Sequence, residues 1–326
     1  MDGVLARFGE VGIKSPPVRR QMLGRLQQNM VDAVQRRGLD AKVSLLHSRL
    51  WLQGDDVPGL LDIATKTFGV VSASPCKLIS SDMDEMCAEA AKEALAHEWG
   101  SFAIQARREG THQYSSKDVG MTVGSAVFNA AKEAGRDPKV DLSNPDFAVS
   151  LDIRDNRCYM HTQSYDGPGG LPLGSQGRVI CLISDANSFV AAWLMMRRGC
   201  KVILAHAGNT GSIPDMDAIQ AWGAPVDVDL LPLCQGFVEK PVLLQAAWEL
   251  GKRLRADALV LGDDLDSDLV VLPGVPILRP TCGLAPAEIE KLMARIGLED
   301  DDPEHIFASS TETVESVLSM HRVVTC

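Results

Sequence analysis

Five residues, Ser184-Asp185-Ala186-Asn187-Ser188, stand between the apolar run Val179-Ile-Cys-Leu-Ile183 and a helix-spaced stretch that ends at Gly199. Strand, tight turn and helix form the order in which backbone amides and a helix N-terminus face a phosphate. The residue types suit that task only in part. Ser184, Asn187 and Ser188 carry polar groups that can bond phosphate or cap the helix, but no glycine supplies the torsions of an anion nest. Asp185 brings a carboxylate to the place of the phosphate oxygens, a repulsion of about 1 kcal/mol at about 4 Å in bulk water and several-fold more when desolvated. Cys282, in Arg279-Pro-Thr-Cys-Gly283, precedes a helical segment whose dipole can stabilise a thiolate, which makes it the candidate thiol. Asp263, Asp264, Asp266 and Asp268 are hard-cation ligands by type, Mg²⁺ among them, but their run has no diagnostic ligand spacing and no metal site is assigned. The eight cysteines never form Cys-x-x-Cys, so there is no zinc or iron–sulfur motif, and most are expected to be buried, reduced and structural.

The elements that must position these residues change character along the chain. Val4 to Phe8 is strand-like, Gly9 to Lys14 a turn, and Met22, Leu26, Met30, Val31 and Val34 recur at helical spacing between the start signal Ser15-Pro-Pro17 and Gly38. Strands at 42–46 and 49–53, a helix at 57–67 and a strand at 69–74 complete a split βαβ order. A second unit runs from a helix at 82–97 through a strand at 101–108, a helix at 118–134 and strands at 147–153 and 158–162. After the linker at 167–177, strands and helices alternate as in a doubly wound sheet, including strands at 201–205 and 226–231 and a helix at 286–296. Trp193, Trp222 and Trp248 fall at helical positions and are expected in the core.

The length of 326 residues allows two or three domains, and 45% hydrophobic with 23% charged residues excludes wholesale disorder. The absence of a signal peptide and of a long apolar run points to a cytoplasmic protein with no membrane partner. The net charge of −11 argues against nucleic acid until its distribution is considered. Residues 1–175 hold 20 Lys and Arg against 22 Asp and Glu, net −2, whereas residues 176–326 hold 12 against 21, net −9. An RNA surface is therefore expected in the first half and not over much of the second.

Three segments resemble one family. Arg7-Phe-Gly-Glu-Val-Gly-Ile-Lys-Ser-Pro-Pro-Val-Arg-Arg20 resembles the opening of the ferredoxin-like domain of tRNA 4-thiouridine synthetases, particularly the archaeal ones. Phe102-Ala-Ile-Gln-Ala-Arg-Arg108, Ser116-Lys-Asp-Val119 and Lys139-Val-Asp-Leu-Ser-Asn-Pro145 resemble their THUMP domain, and the stretch 167–199 their linker and the helix after their PP-loop. The resemblance implies an α/β and α+β multidomain chain. Its parts are a ferredoxin-like domain at 1–76, a THUMP domain at 77–166 and, at 167–326 including the linker, a Rossmann-like PP-loop domain of the adenine nucleotide alpha hydrolase type. It further implies tRNA as partner, ATP and Mg²⁺ as cofactors, a homodimer, and a sulfur-donor or catalytic partner protein. In the family the PP-loop domain adenylates a uridine at tRNA position eight and a protein persulfide delivers sulfur. Arg19, Arg20, Arg107, Arg108, Lys117 and Lys139 are the implied RNA contacts, with guanidinium groups suited to bidentate phosphate binding.

Where the family's PP-loop reads Ser-Gly-Gly-x-Asp-Ser, alignment on Ser188 puts Ser184 and Asp185 at the glycines and Asn187 at the acid. His206 falls near the implied adenine pocket, and Gly262 opens the counterpart of a segment that lies beside the nucleotide. The nucleotide candidates are thus Ser184, Asp185, Asn187, Ser188, His206 and Gly262. The family's sulfur-carrying cysteines have no counterpart at the matching positions; Cys282 matches none of them, and Cys326 can serve only if the tail folds back. Two readings follow and part at ATP: a tRNA-binding protein with a degenerate loop, or an active tRNA sulfurtransferase using an atypical one.

Overall fold

The computed structural model of the chain describes residues 2–46, 48–206, 216–222, 230–232 and 240–298. Most of the strand expected at 226–231, together with Cys234 and Cys326, lies outside the described residues. The chain divides into two compact units, one of residues 1–8, 34–65 and 70–167, the other of residues 9–33, 66–69 and 168–326.

The first unit is built on one sheet. Its strands are β1 (Gly3–Phe8), β2 (Ala41–Leu46), β3 (Arg49–Gly54), β4 (Val70–Ser80), β5 (Ser101–Glu109), β6 (Lys139–Val140), β7 (Phe147–Arg154), β8 (Arg157–His161) and β9 (Tyr165–Asp166). They run in the order β2-β3-β1-β4-β8-β7-β5-β6, with β9 also on β4. The strand expected to end at 74 continues to Ser80, so β4 pairs with β1 over its first part and with β8 over its second. Pro75 does not break it. Cys76 presents its carbonyl to Asp2 on the β1 side, so the nitrogen of Pro75 faces the other side, between β9 at Ser72 and Ala73 and β8 from Lys77 on. No ladder bond is asked of it there. The expected limit between residues 76 and 77 thus falls inside a continuous strand.

The first helices in chain order are α1 (Pro16–Arg36), α2 (Val57–Lys66), α3 (Met83–Leu95) and α4 (Ser116–Glu133); α3 and α4 cover one face, which buries Met86, Phe102, Val119, Val123, Val127, Leu151 and Ile153. Asp82 caps α3 and Ser115 with Asp118 forms a capping box on α4, which fixes where each helix leaves its loop. The opposite face buries Leu5, Trp51, Cys76 and Tyr159.

The second unit contains most of α1 (Pro16–Arg36) and a parallel sheet of β10 (Arg178–Ile183), β11 (Lys201–His206), β12 (Leu230–Pro232), β13 (Ala258–Val260) and β14 (Ile277–Leu278). The order is β12-β11-β10-β13-β14. β10 is central and buried from Val179 to Ile183, as a parallel strand covered on both sides must be. Its helices are α5 (Ala186–Arg197), α6 (Met216–Gln220), α7 (Lys240–Arg253) and α8 (Pro286–Ile296); on one side Val179, Cys181 and Ile183 pack with residues of α5 and α8, and on the other Ile180 and Leu182 pack with α7. Trp193 and Trp222 meet edge to face at 5.4 Å, and all three expected core tryptophans are buried. The linker straps the end of α5: Leu171 N–H donates to the Arg197 carbonyl and Gly174 and Gln176 N–H to that of Gly199. Gly170 has φ 73°, and a Cβ there would lie 2.0 Å from the Arg197 carbonyl oxygen, so only glycine fits.

Candidate functional site

The nucleotide candidates converge at the C-terminal end of β10. Ser184 and Asp185 follow the strand, and α5 starts at Ala186. The helix cap is Asp185, not Asn187 or Ser188 as the sequence suggested. Its carboxylate accepts from Ser188 N–H at 2.8 Å, and the Ser188 hydroxyl accepts from the amides of Ser184 at 3.0 Å and Asp185 at 3.2 Å while donating to the Asp185 carbonyl. The Ser184 hydroxyl turns to the Asp185 carboxylate at 3.2 Å. Three amides at the mouth of the loop are thus satisfied from within it. No residue from Ser184 to Ser188 has positive φ, and Asp185 is fully extended at φ −159°. A phosphate nest alternates right- and left-handed residues, so the loop lacks the required backbone.

Gly262 and His206 complete the cluster. A Cβ on Gly262 would lie 2.4 Å from Ser188 N, so the backbone after β13 rests directly on the loop. His206, 3% exposed, pairs in register with Ile183, and its Nδ1 bonds the Ile183 carbonyl at 2.9 Å, leaving Nε2 buried with no hydrogen-bond partner among the described residues. The amides of Ser184, Asp185 and Ser188 are thus engaged, and the Asp185 carboxylate stands at the helix N-terminus, where the phosphates of ATP with Mg²⁺ would need donors.

The acidic run does not assemble a cation site. Asp263 is bound by Arg279 Nε at 2.8 Å and Lys240 at 3.3 Å, and Asp264 accepts from Ser267 Oγ and Asp266 N–H in a local turn. Among the described residues no group of three or more His, Cys, Asp or Glu is placed to hold a metal. Cys282 is half-buried in a turn closed by its N–H on the Arg279 carbonyl, three residues before the α8 cap at Ala285. That N-terminus is already served by Glu288, which accepts from Ala285 N–H, and Pro286 has no donor to offer. Cys76, Cys158, Cys181 and Cys200 are buried, and burial raises each thiol's pKa, that of Cys76 to about 12.

The candidate RNA contacts separate by strand parity. Phe102, Ile104 and Ala106 face the helices, so Arg108 lies on that side with Lys117 of α4, whereas Arg107 lies on the other with Lys139, the register partner of Ser101. Arg108 is tied to the Gly110 carbonyl at 2.9 Å and to His112. Arg19 and Arg20 sit on the first turns of α1 in the second unit, Arg20 exposed. The four cations of the first unit therefore do not form one cluster.

Beside Arg107 lies a group that sequence reasoning missed. Arg7 of β1, Asp152 of β7 and His161 of β8 share its face and line with it a cleft of about 250 Å³, together with Ser72, Gln105, Ser150 and Ser164; Arg49 of β3 and Arg154 of β7 lie on the same face. Asp152, 3% exposed, accepts from Arg49 at 3.2 Å and from Arg154 at 2.8 Å; Arg154 also pairs with Glu109. Arg7 donates to Ser74 Oγ at 2.9 Å and meets His161 Nε2. Burial and then the charges of Arg7, Arg49 and Arg107 push His161 down to about 3, so its ring is neutral. Burial raises the Asp152 carboxyl against the opposing pull of Arg49 and Arg7. The sequence signal was the Ser150-x-Asp152-x-Arg154 alternation, which places polar groups on one face of a strand whose other face is apolar.

Comparison with known proteins follows this layout. Residues 3–74 match the ThiI ferredoxin-like domain, 80–163 the THUMP domain, and 174–220 a family described as thiamine biosynthesis protein (ThiI). A probable tRNA sulfurtransferase of Methanothermobacter thermautotrophicus is 34% identical over 92% of this chain and 85% of its own length. The chain belongs to the tRNA sulfurtransferase family. Another relative, the tRNA sulfurtransferase of Pyrobaculum aerophilum, is 32% identical over 91% of this chain and 67% of its own length. Two solved structures share the sulfurtransferase fold seen here. A Pyrococcus horikoshii protein, 23% identical, covers 91% of this chain and 100% of its own with a TM-score of 0.74. A 4-thiouridine synthetase bound to RNA and ATP, 19% identical, covers 99% of this chain and 94% of its own with a TM-score of 0.72. The expected fold, with ferredoxin-like, THUMP and PP-loop parts, is thereby established. Among the described residues no helix is long and apolar enough to cross a membrane.

Proposed function

We propose that this member of the family is a tRNA-binding protein of uridine thiolation whose PP-loop is degenerate, with the division into residues 1–76, 77–166 and 167–326 retained. The observation that carries the reading is the closed hydrogen-bond circuit of Ser184, Asp185 and Ser188, which engages the amides a phosphate needs. The tRNA part rests on family membership and on the cleft lined by Arg7 and Arg107, beside which Arg49 and Arg154 pair with buried Asp152. The named relatives act on tRNA, and the RNA-bound synthetase shares this fold. In this reading catalysis comes from a partner protein or a partner subunit, and Cys282 has no sulfur-carrying role.

One observation favours the alternative, an active sulfurtransferase with an atypical loop: beside that loop the buried Nε2 of His206 has no partner among the described residues. A nucleotide base is one group that can supply it. Calorimetric titration with ATP-Mg²⁺ and a tRNA-dependent pyrophosphate-release assay decide between the two. The expected result is no ATP binding and no release by protein that binds tRNA. Release that disappears in Ser188→Ala, while that variant still binds tRNA, would overturn the degenerate reading.

A further inference from the structure

The acidic second half contains a basic exception. At the N-terminal edge of the parallel sheet, Arg178 opens β10 and Lys201 opens β11 as register partners, and Lys252, Arg253 and Arg255 lie where α7 ends before β13. Five of the 12 Lys and Arg of residues 176–326 collect at this end, against Glu249 and Asp257. A concavity of about 520 Å³ is lined by Gln176, Gly177, Lys201, Arg253, Arg255 and Asp257.

The local charges are already partly assigned. Lys252 pairs with Glu249 at 2.7 Å, Asp257 accepts from the Arg178 amide at 2.9 Å, and the Arg178 guanidinium holds the Leu254 carbonyl at 2.6 Å. Lys201, Arg253 and Arg255 are exposed and form no ion pair among the described residues. The C-terminal dipole of α7 accounts for a cation at 252 or 253 but not for Lys201, which starts a strand. Arg255 has φ 60°, a left-handed conformation that glycine or asparagine adopts with least strain, yet a long cation occupies it.

We propose that this edge is a phosphodiester-binding surface, a second contact of the tRNA backbone made by Lys201, Arg253 and Arg255. It lies at the end of β10 opposite the Ser184–Ser188 loop, so it serves docking rather than chemistry. The inference rests on the tRNA reading above and specifies a surface for it. Unpaired cations around a concave floor bind phosphates by releasing counterions, so each contact adds about 0.7 to 0.9 to the salt slope of binding.

The test is the affinity of the full chain for an unmodified tRNA transcript between about 50 and 200 mM salt, for wild type and for Lys201→Gln/Arg253→Gln/Arg255→Gln. The triple variant is expected to lose about 2 to 3 from the slope and at least about tenfold in affinity at the low-salt end. Lys201→Arg/Arg253→Lys/Arg255→Lys is expected to keep the wild-type slope, which separates charge from fold damage. An unchanged slope and affinity in a normally melting glutamine variant would overturn this surface while leaving the tRNA reading intact. Wild type that fails to bind tRNA would overturn both. Binding of polyglutamate as tight as that of tRNA, lost in the triple variant, would reassign the surface to an acidic polypeptide and overturn the RNA assignment.

Discussion

Ser188 shows how one hydroxyl can decide the character of a loop. In a glycine-containing phosphate loop the amides after the strand point at the ligand, whereas here Ser188 Oγ accepts from two of them and Asp185 caps the third. Ser188 is 1% exposed, so water does not readily replace it. Ser188→Ala should therefore lower stability by about 1–2 kcal/mol, the cost of leaving partly buried donors without acceptors. The urea midpoint measures this; an unchanged midpoint would mean that the amides are solvated and free for a ligand. The sequence exposed the missing glycines and the intrusive carboxylate. It did not expose the circuit, because which of Asp185, Asn187 and Ser188 caps the helix depends on a boundary that differs by one to three residues between alternatives.

At the scale of elements, the period of a strand sorts residues that look equivalent in a row. Arg107 and Arg108 are adjacent in sequence and end on opposite faces of β5, Arg107 beside the cleft and Arg108 beside α4. If the cleft holds phosphate, Arg107→Gln should reduce tRNA affinity several-fold and the salt slope by about 0.7 to 0.9, and Arg108→Gln should change both much less. Equal effects of the two variants would place the RNA on the helix side. β4 teaches a related lesson. Gly69 to Ser74 reads as a complete strand and Pro75 as its end, yet the proline nitrogen faces a gap in the ladder and the strand runs on to Ser80. Strand existence was legible from alternation, but its extent depended on neighbours far away in sequence.

For the molecule as a whole, buried polar groups tie stability to pH. His161 is 7% exposed and held near 3 in the fold, whereas an unfolded histidine titrates near 6.5. Between these values the unfolded chain binds the extra proton, so stability falls as pH drops below about 6.5, by about 1.4 kcal/mol per unit and about 2 kcal/mol at pH 5. Urea unfolding at pH 7 and pH 5 should show a smaller loss in His161→Gln than in wild type; equal losses would mean that the ring is protonated in the fold. In a chain of net charge −11 the fold also gathers arginines on one face. Arg7, Arg49 and Arg154 come from separate strands and acquire a common face only when the sheet forms.

The sequence by itself determined the family, the order of ferredoxin-like, THUMP and PP-loop parts, the burial of Trp193, Trp222 and Trp248, and the absence of glycine from Ser184 to Ser188. Those properties are local: they reside in ordered motifs, helical and strand periods, and the torsions a residue type allows. Only the tertiary structure decided that Ser188 closes the loop, that Arg107 and Arg108 part company, that Arg7 meets His161, and that Lys201 lies with Arg253 and Arg255. Register and crossover connections set those meetings. They join residues up to 154 positions apart, a distance over which no spacing in the chain carries a signal.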